Sequence, residues 1–173
     1  MQGDFWHFAT HLYAGHQVAE ACLWLQDRHD LDVMLLLLCL WTGIQRGSLQ
    51  RSQLEALMAV GEPWRRNVVN PLRSTRRWLK YARPGCVERA AAEHGREKLR
   101  QAITATELMA ERLQGELYEA LIGEWEVEKV HLQPGTAAAE SNVRLYAALL
   151  SVALDSDDDQ RLQVILQALP EPS

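Results

Sequence analysis

Between residues 63 and 83 the chain reads PWRRNVVNPLRSTRRWLKYAR, with seven cations and no acid. At about 100° per residue, Arg65, Arg66, Arg73, Arg76, Arg77, Lys80 and Arg83 fall within an arc of roughly 120°. Trp64, Val68, Leu72, Trp78 and Leu79 take a separate arc of similar width. Six of the seven cations are arginines, whose planar fork matches carboxylate and phosphate. The chemistry this pattern points to is anion binding on an amphipathic helix. An acidic protein partner is the first reading, with Trp64 and Trp78 as anchors. Nucleic acid or a phosphorylated ligand on the same face is the alternative.

A purely structural reading competes with both. The next helix returns antiparallel and carries Glu93, Glu97, Glu107 and Glu111 as a stripe beside its own apolar arc. If the two charged stripes converge, the cations form internal ion pairs, each worth little at a surface. Seven cations outnumber four carboxylates, so positive charge remains in either case. The net charge of −5 leaves −12 outside this helix, which disfavours a polyanion and favours the protein partner.

Other groupings carry less. His7 and His11, at i and i+4, have the spacing for one metal, but no cysteine or carboxylate near them completes a site. Glu128 and His131 form a single E-x-x-H, whereas a di-iron bundle needs two such motifs and further carboxylates. The turn QDRHDLD gathers Asp27, His29, Asp30 and Asp32, a setting for acid–base chemistry that helix-end and N-cap roles explain as well. No G-x-S-x-G, P-loop or G-x-G-x-x-G occurs. The expectation is a non-enzymatic module with no catalytic residues, metal or cofactor, and a metal-dependent enzyme stands only as a remote alternative.

The elements that must position these residues read as helices. At 173 residues, with 47% apolar and 24% charged content, the chain fits one globular domain, residues 1–173. Three widely spaced cysteines, Cys22, Cys39 and Cys86, suit a reducing cytoplasm rather than a disulfide framework. The opening MQGDFWHF has no basic start and does not read as a signal peptide. The run DVMLLLLCLW, starting at Asp32, is too short to cross a membrane and too poor in β-branched residues for a strand. It predicts a helix over about 33–45, capped by Asp32 and buried on nearly all sides.

Around it the pattern predicts helices from about Phe5 to Ala14, capped by Asp4, and from Gln17 to His29. Ser52 to Glu55 reads as a capping box that starts a short helix ending near Gly61. Pro63 opens the basic helix, with a kink at Pro71 and a break at Pro84-Gly85. A long helix runs from about Val87 to Gly123, with Leu99, Ile103, Thr106, Ala110, Leu113, Leu117 and Leu121 on one arc. A further helix ends at Leu154, and a last one, preceded by an acidic cap at Asp155 to Asp159, ends near Leu169. The segment at 142–154 is apolar nearly all round, which suits either a second core helix or a homodimer interface. The fold class is therefore all-α, a single compact domain of six to eight helices.

The segments FWHFATHLYA, VAEACLWLQD, LDVMLLLLCLW and WRRNVVNPLRSTRRWLK together resemble an uncharacterised proteobacterial family, a domain of unknown function. The resemblance covers about the first half of the chain. It implies a small bacterial cytoplasmic helical protein and assigns no activity. The chain departs from the family at His29-Asp30, which stand in place of a glycine-containing turn.

Overall fold

The computed structural model describes residues 5–81, 90–125 and 133–170. The fold is all-α. In chain order the elements are α1 (Phe5–Tyr13), α2 (His16–His29), α3 (Val33–Gln45), α4 (Arg51–Trp64), a π turn (Arg65–Val69), α5 (Asn70–Tyr81), α6 (Ala90–Gly123), α7 (Thr136–Leu149) and α8 (Ser156–Gln167). Since α4, the π turn and α5 follow one another without a gap, the described residues make seven helical rods. None of these helices is long and apolar enough to cross a membrane. By their contacts the residues divide into two compact units, Met1–Val60 with Gly115–Ser173, and Gly61–Gln114.

The first unit is built on α3. Asp32 caps it as expected, its carboxylate accepting from the Met34 N–H at 2.9 Å. Every residue from Met34 to Ile44 is buried, and Leu36, Leu38 and Leu40 are inaccessible to solvent. Its main neighbour is α7. The two backbones meet at Gly43, where a Cβ would lie 2.2 Å from the Cα of Ala139, so no larger side chain fits. Gly135 N–H donates to the Gly43 carbonyl across the same contact, at 2.9 Å.

Beside it lies the buried Asn142. Its carbonyl oxygen accepts from the Leu49 N–H at 2.7 Å, and its amide donates to the Cys39 and Gly47 carbonyls at 3.1 and 3.2 Å. The bonds to Leu49 and Gly47 give partners to backbone groups in the buried loop after α3, while the Cys39 carbonyl also accepts from the Thr42 hydroxyl at 3.1 Å. The expected cap Asp4 lies outside the described residues. Within them, Glu119 of α6 accepts from the Phe5 N–H at 2.7 Å. Asp30 ends α2 in the left-handed conformation, φ 56° and ψ 31°. Glycine enters that region without strain, and aspartate tolerates it better than most residues.

Three expected boundaries move, the first being the end of α7, at Leu149 rather than Leu154. The Ser52–Glu55 capping box is not the start of α4. The Gln53 side chain accepts from the Gln50 N–H at 2.8 Å and the helix begins at Arg51, while Glu55 pairs with Arg51 one turn back. Nor does the chain break between Gly61 and Pro63. Pro63 lies inside α4, and the rod continues to Tyr81 through the π turn. Proline at 63 and 71 removes two ladder donors, and a π turn is a way to re-register a helix around such gaps. The Asn70 N–H bonds to the Arg65 carbonyl, five residues back. The Asn67 side chain donates to the Pro63 carbonyl at 2.7 Å. The expected break at Pro84-Gly85 lies outside the described residues, as do Arg83 and Cys86.

In the second unit, α6 presents a different face from the one its leucines suggest. Leu99, Thr106 and Leu113 of the predicted arc are exposed; Ala110 is buried as expected, but with Glu107 and Gln114 beside it. Roughly a sixth of a turn of rotation separates the two faces. Its cause is polar. Glu107 is held by two arginines of α5, and Trp64 donates its indole N–H to the Ala110 carbonyl at 2.9 Å.

Candidate functional site

The cations of 63–83 separate into two groups. Arg73 donates to Glu107 at 3.1 Å and to Glu111 at 3.0 Å, and Arg76 grips both oxygens of Glu107. Burial alone would push the Glu107 carboxyl up. The hydrogen bonds and charges of Arg76 and Arg73 outweigh it and hold the group below the ordinary carboxylate value. The Arg76 guanidinium is correspondingly raised by its bond to Glu107. Arg65 and Arg66 both turn back to Glu62, at 3.1 and 3.5 Å. Four of the six described cations are thus engaged within their own unit.

The expected convergence of charged stripes is therefore real but partial. Glu107 and Glu111 meet the basic helix, whereas Glu93 and Glu97 pair along α6 itself with Arg96 and Arg100, at 3.8 and 2.6 Å. Arg77 and Lys80 form the other group. Both are exposed, and among the described residues neither meets a carboxylate; the Lys80 ammonium sits 5.2 Å from the Tyr81 ring centroid.

The two anchor candidates separate in the same way. Trp64 is half-buried with its N–H committed to Ala110, which removes it as an outward anchor. Trp78 is 68% exposed and Tyr81 is 71% exposed. Ser74, Arg77, Trp78 and Tyr81 follow i, i+3, i+4, i+7 spacing and make one outward stripe on α5, away from the arginines that hold Glu107. Trp78 therefore does not belong to the apolar arc in which its spacing placed it.

The turn after α2 does not gather its acids with its histidine. Asp27 is exposed. Asp32 turns to α3, and Tyr118 donates its hydroxyl to the second Asp32 oxygen at 3.4 Å. His29 turns to α8, where its Nε2 lies 2.8 Å from Asp158. Asp158 is a fully buried carboxylate that also accepts from the Trp24 indole at 3.3 Å, from Arg28 at 3.2 Å and from the Asp155 N–H at 3.1 Å. Arg28 closes bidentately on Asp155, at 2.6 and 3.1 Å, which holds that carboxyl at about 2.

Burial works against the Asp158 carboxylate, but these donors keep it below its ordinary value. The arrangement fastens α2 to α8. The sequence marked Asp155 to Asp159 as an acidic cap, and nothing local singles out Asp158 as the group that receives residues 134 to 129 positions earlier.

The remaining candidates are soon placed. His7 and His11 stack with ring centroids 6.2 Å apart. Among the described residues no three histidine, cysteine, aspartate or glutamate side chains gather as a metal site. Glu128 and His131 lie outside the described residues. The apolar residues of 142–154 that suggested self-association, Val143, Tyr146 and Ala147, are buried in the unit's own core. Cys22 and Cys39 are buried free thiols, and burial pushes the Cys22 thiol up to about 12 and that of Cys39 higher still.

A family model described as a protein of unknown function, DUF2390, matches residues 4–117, about two thirds of the chain. The chain belongs to that family. The match takes in α1 to α5, the outward stripe on α5 and most of α6, together with Trp24, Arg28 and His29. Asn142, Asp155 and Asp158 lie beyond it. No curated protein and no solved structure matches the chain.

Proposed function

We propose that this is a non-enzymatic binding or regulatory module whose partner is an acidic segment of another protein docking on the outward stripe of α5. The observation that carries the reading is the pairing of Trp78 and Tyr81, both more than two-thirds exposed, with Arg77 and Lys80, which meet no carboxylate among the described residues. Large aromatics and arginine are the residues that dominate binding energy at protein interfaces. Two exposed cations beside them select an acidic partner by charge. Arg65, Arg66, Arg73 and Arg76 support the stripe rather than contact the partner. Reduced, buried cysteines fit a bacterial cytoplasmic setting.

Affinity purification of the wild type beside an Arg77→Glu, Trp78→Ala, Lys80→Glu variant tests the reading, with circular dichroism confirming that the variant is folded. Loss of specific acidic partners from the variant is the expected result, and retrieval of the same partners by both ends the reading. Aromatics beside cations also suit single-stranded nucleic acid. That class would show itself as binding to any oligonucleotide with affinity falling linearly on a log–log salt plot, and this outcome would replace the protein partner.

A further inference from the structure

On a regular α-helix the cations and the apolar residues of 63–83 take opposite sides, yet the folded chain does not use that arrangement. Counted from Trp64 at about 100° per residue, Val68, Leu72, Trp78 and Leu79 return to its side of the rod, and Arg73 falls opposite to it. In the structure Trp64 and Arg73 nevertheless reach the same neighbour, α6, at Ala110 and at Glu107 with Glu111. The π turn at Arg65–Val69 reconciles the two. Its hydrogen bond spans one residue more than an α turn, so everything after it is set back by about 100°. The setback carries Arg73 and Arg76 round to the side of Trp64 and keeps Leu79 buried there. It also swings Trp78 and Tyr81 away, where both are exposed.

Two registers of α5 are therefore open to one sequence, and they bury different groups. The π register takes the fork of Arg73 and Arg76 on Glu107 largely out of water, at a desolvation cost that offsets much of its attraction. The α register would instead turn Trp78 inward with Leu72 and Leu79, a large apolar side chain gained. Arg73, Arg76, Arg77 and Lys80 would then lie together on the opposite side. Two alternative packings of one helix are the physical basis of a switch. The group that decides between them is Glu107, on which both arginines close. We propose that α5 is such a switch. With the fork intact the π turn holds Trp78 outward, and loss of the fork turns α5 by about 100° into a continuous α-helix that withdraws Trp78. Neutralising Glu107, or drawing its two arginines onto another anion, is the charge change that turns it. That withdrawal of Trp78 releases an acidic partner rests on the function proposed for the α5 stripe; the turning itself does not.

Fluorine NMR of the full chain labelled with 5-fluorotryptophan tests the switch. The Trp78 signal is assigned by its loss in Trp78→Phe, and its exposure is read as relaxation by a soluble gadolinium chelate. In the wild type Trp78 should be strongly relaxed. Glu107→Gln should lower that relaxation at least about threefold, as the indole joins an apolar arc. Deletion of Asn67 is the control for register. It takes out the extra residue, so a regular α-helix then keeps Arg73 and Arg76 on Glu107 and Trp78 outward. Trp78 should be exposed in that variant and stay exposed when Glu107→Gln is added to it. Where Glu107→Gln alone does not fold, Glu107→Gln with Arg76→Gln takes its place. Undiminished relaxation of Trp78 in the folded Glu107 variant would overturn the switch, and so would a protected Trp78 in either form of the Asn67 deletion. No partner enters these measurements, so their failure is distinct from a failure of the docking proposed for α5.

Discussion

The two units of the chain solve different physical problems. Residues 1–60 with 115–173 carry six cations and seventeen acids, net −11, and residues 61–114 carry net +6. The acidic unit is a hydrophobic core in the ordinary sense, with the leucines of α3 buried and interior polar groups such as Thr42, Asn142 and Asp158 partnered. In the basic unit, polar contacts set the helix orientation. Glu107 between Arg73 and Arg76 orients α6, while Leu99, Leu108, Met109 and Leu113 of α6 and Trp78 and Tyr81 of α5 remain exposed. Exposed apolar side chains are unremarkable singly and mark interaction sites when contiguous. The contrast is the ground on which the proposed recognition surface is placed in the second unit.

Substitutions in the core should break that contrast most severely. Leu38→Ala removes a side chain with no solvent access, and urea unfolding should show a loss of about 3–5 kcal/mol. Asp158→Ala should follow at about 3 kcal/mol, because it strips Arg28, His29 and Trp24 of a buried partner. The same cluster gives a pH dependence. Carboxyls held below their unfolded values, Asp155 at about 2 with Asp158 and Glu107 lowered, make the unfolded chain bind more protons in acid. Their contribution is complete above roughly pH 5 and declines as the pH falls towards about 2. A thermal midpoint indifferent to pH between about 5 and 2.5 would contradict it. The smallest effect is at the start of α4, where Gln53→Ala should cost about 0.5–1 kcal/mol and Ser52→Ala less.

Much of the first unit was legible in the sequence because its signals are local and apolar. Asp32 followed by eleven mostly apolar residues has one stable reading. The basic unit misled because its periodicity suggested that leucines would turn inward. Leu99 and Leu113 instead face outward, since the fork on Glu107 fixes the helix and couples residues 31 to 38 positions apart. The pairing of Arg73 and Arg76 with Glu107 and Glu111 was among the sequence's two alternatives, but no helical wheel could say which arginines it would engage. Pro63 illustrates the same limit. It is a sound helix-start signal, overridden here by a π turn that carries one rod from Arg51 to Tyr81. Asp158 was invisible for a simpler reason: every long-range partner it has lies on α2.

The division of one basic helix into supporting and outward cations is tested most directly by comparing two double variants in thermal and urea unfolding. Arg73→Ala with Arg76→Ala leaves the nearly buried Glu107 carboxylate without its partners and should cost about 2–4 kcal/mol. Arg77→Ala with Lys80→Ala removes exposed charges and should change stability by no more than about 0.5 kcal/mol. Equal losses in the two variants, or a larger loss for Arg77 and Lys80, would contradict the division and remove the ground for treating the outward stripe of α5 as a recognition surface.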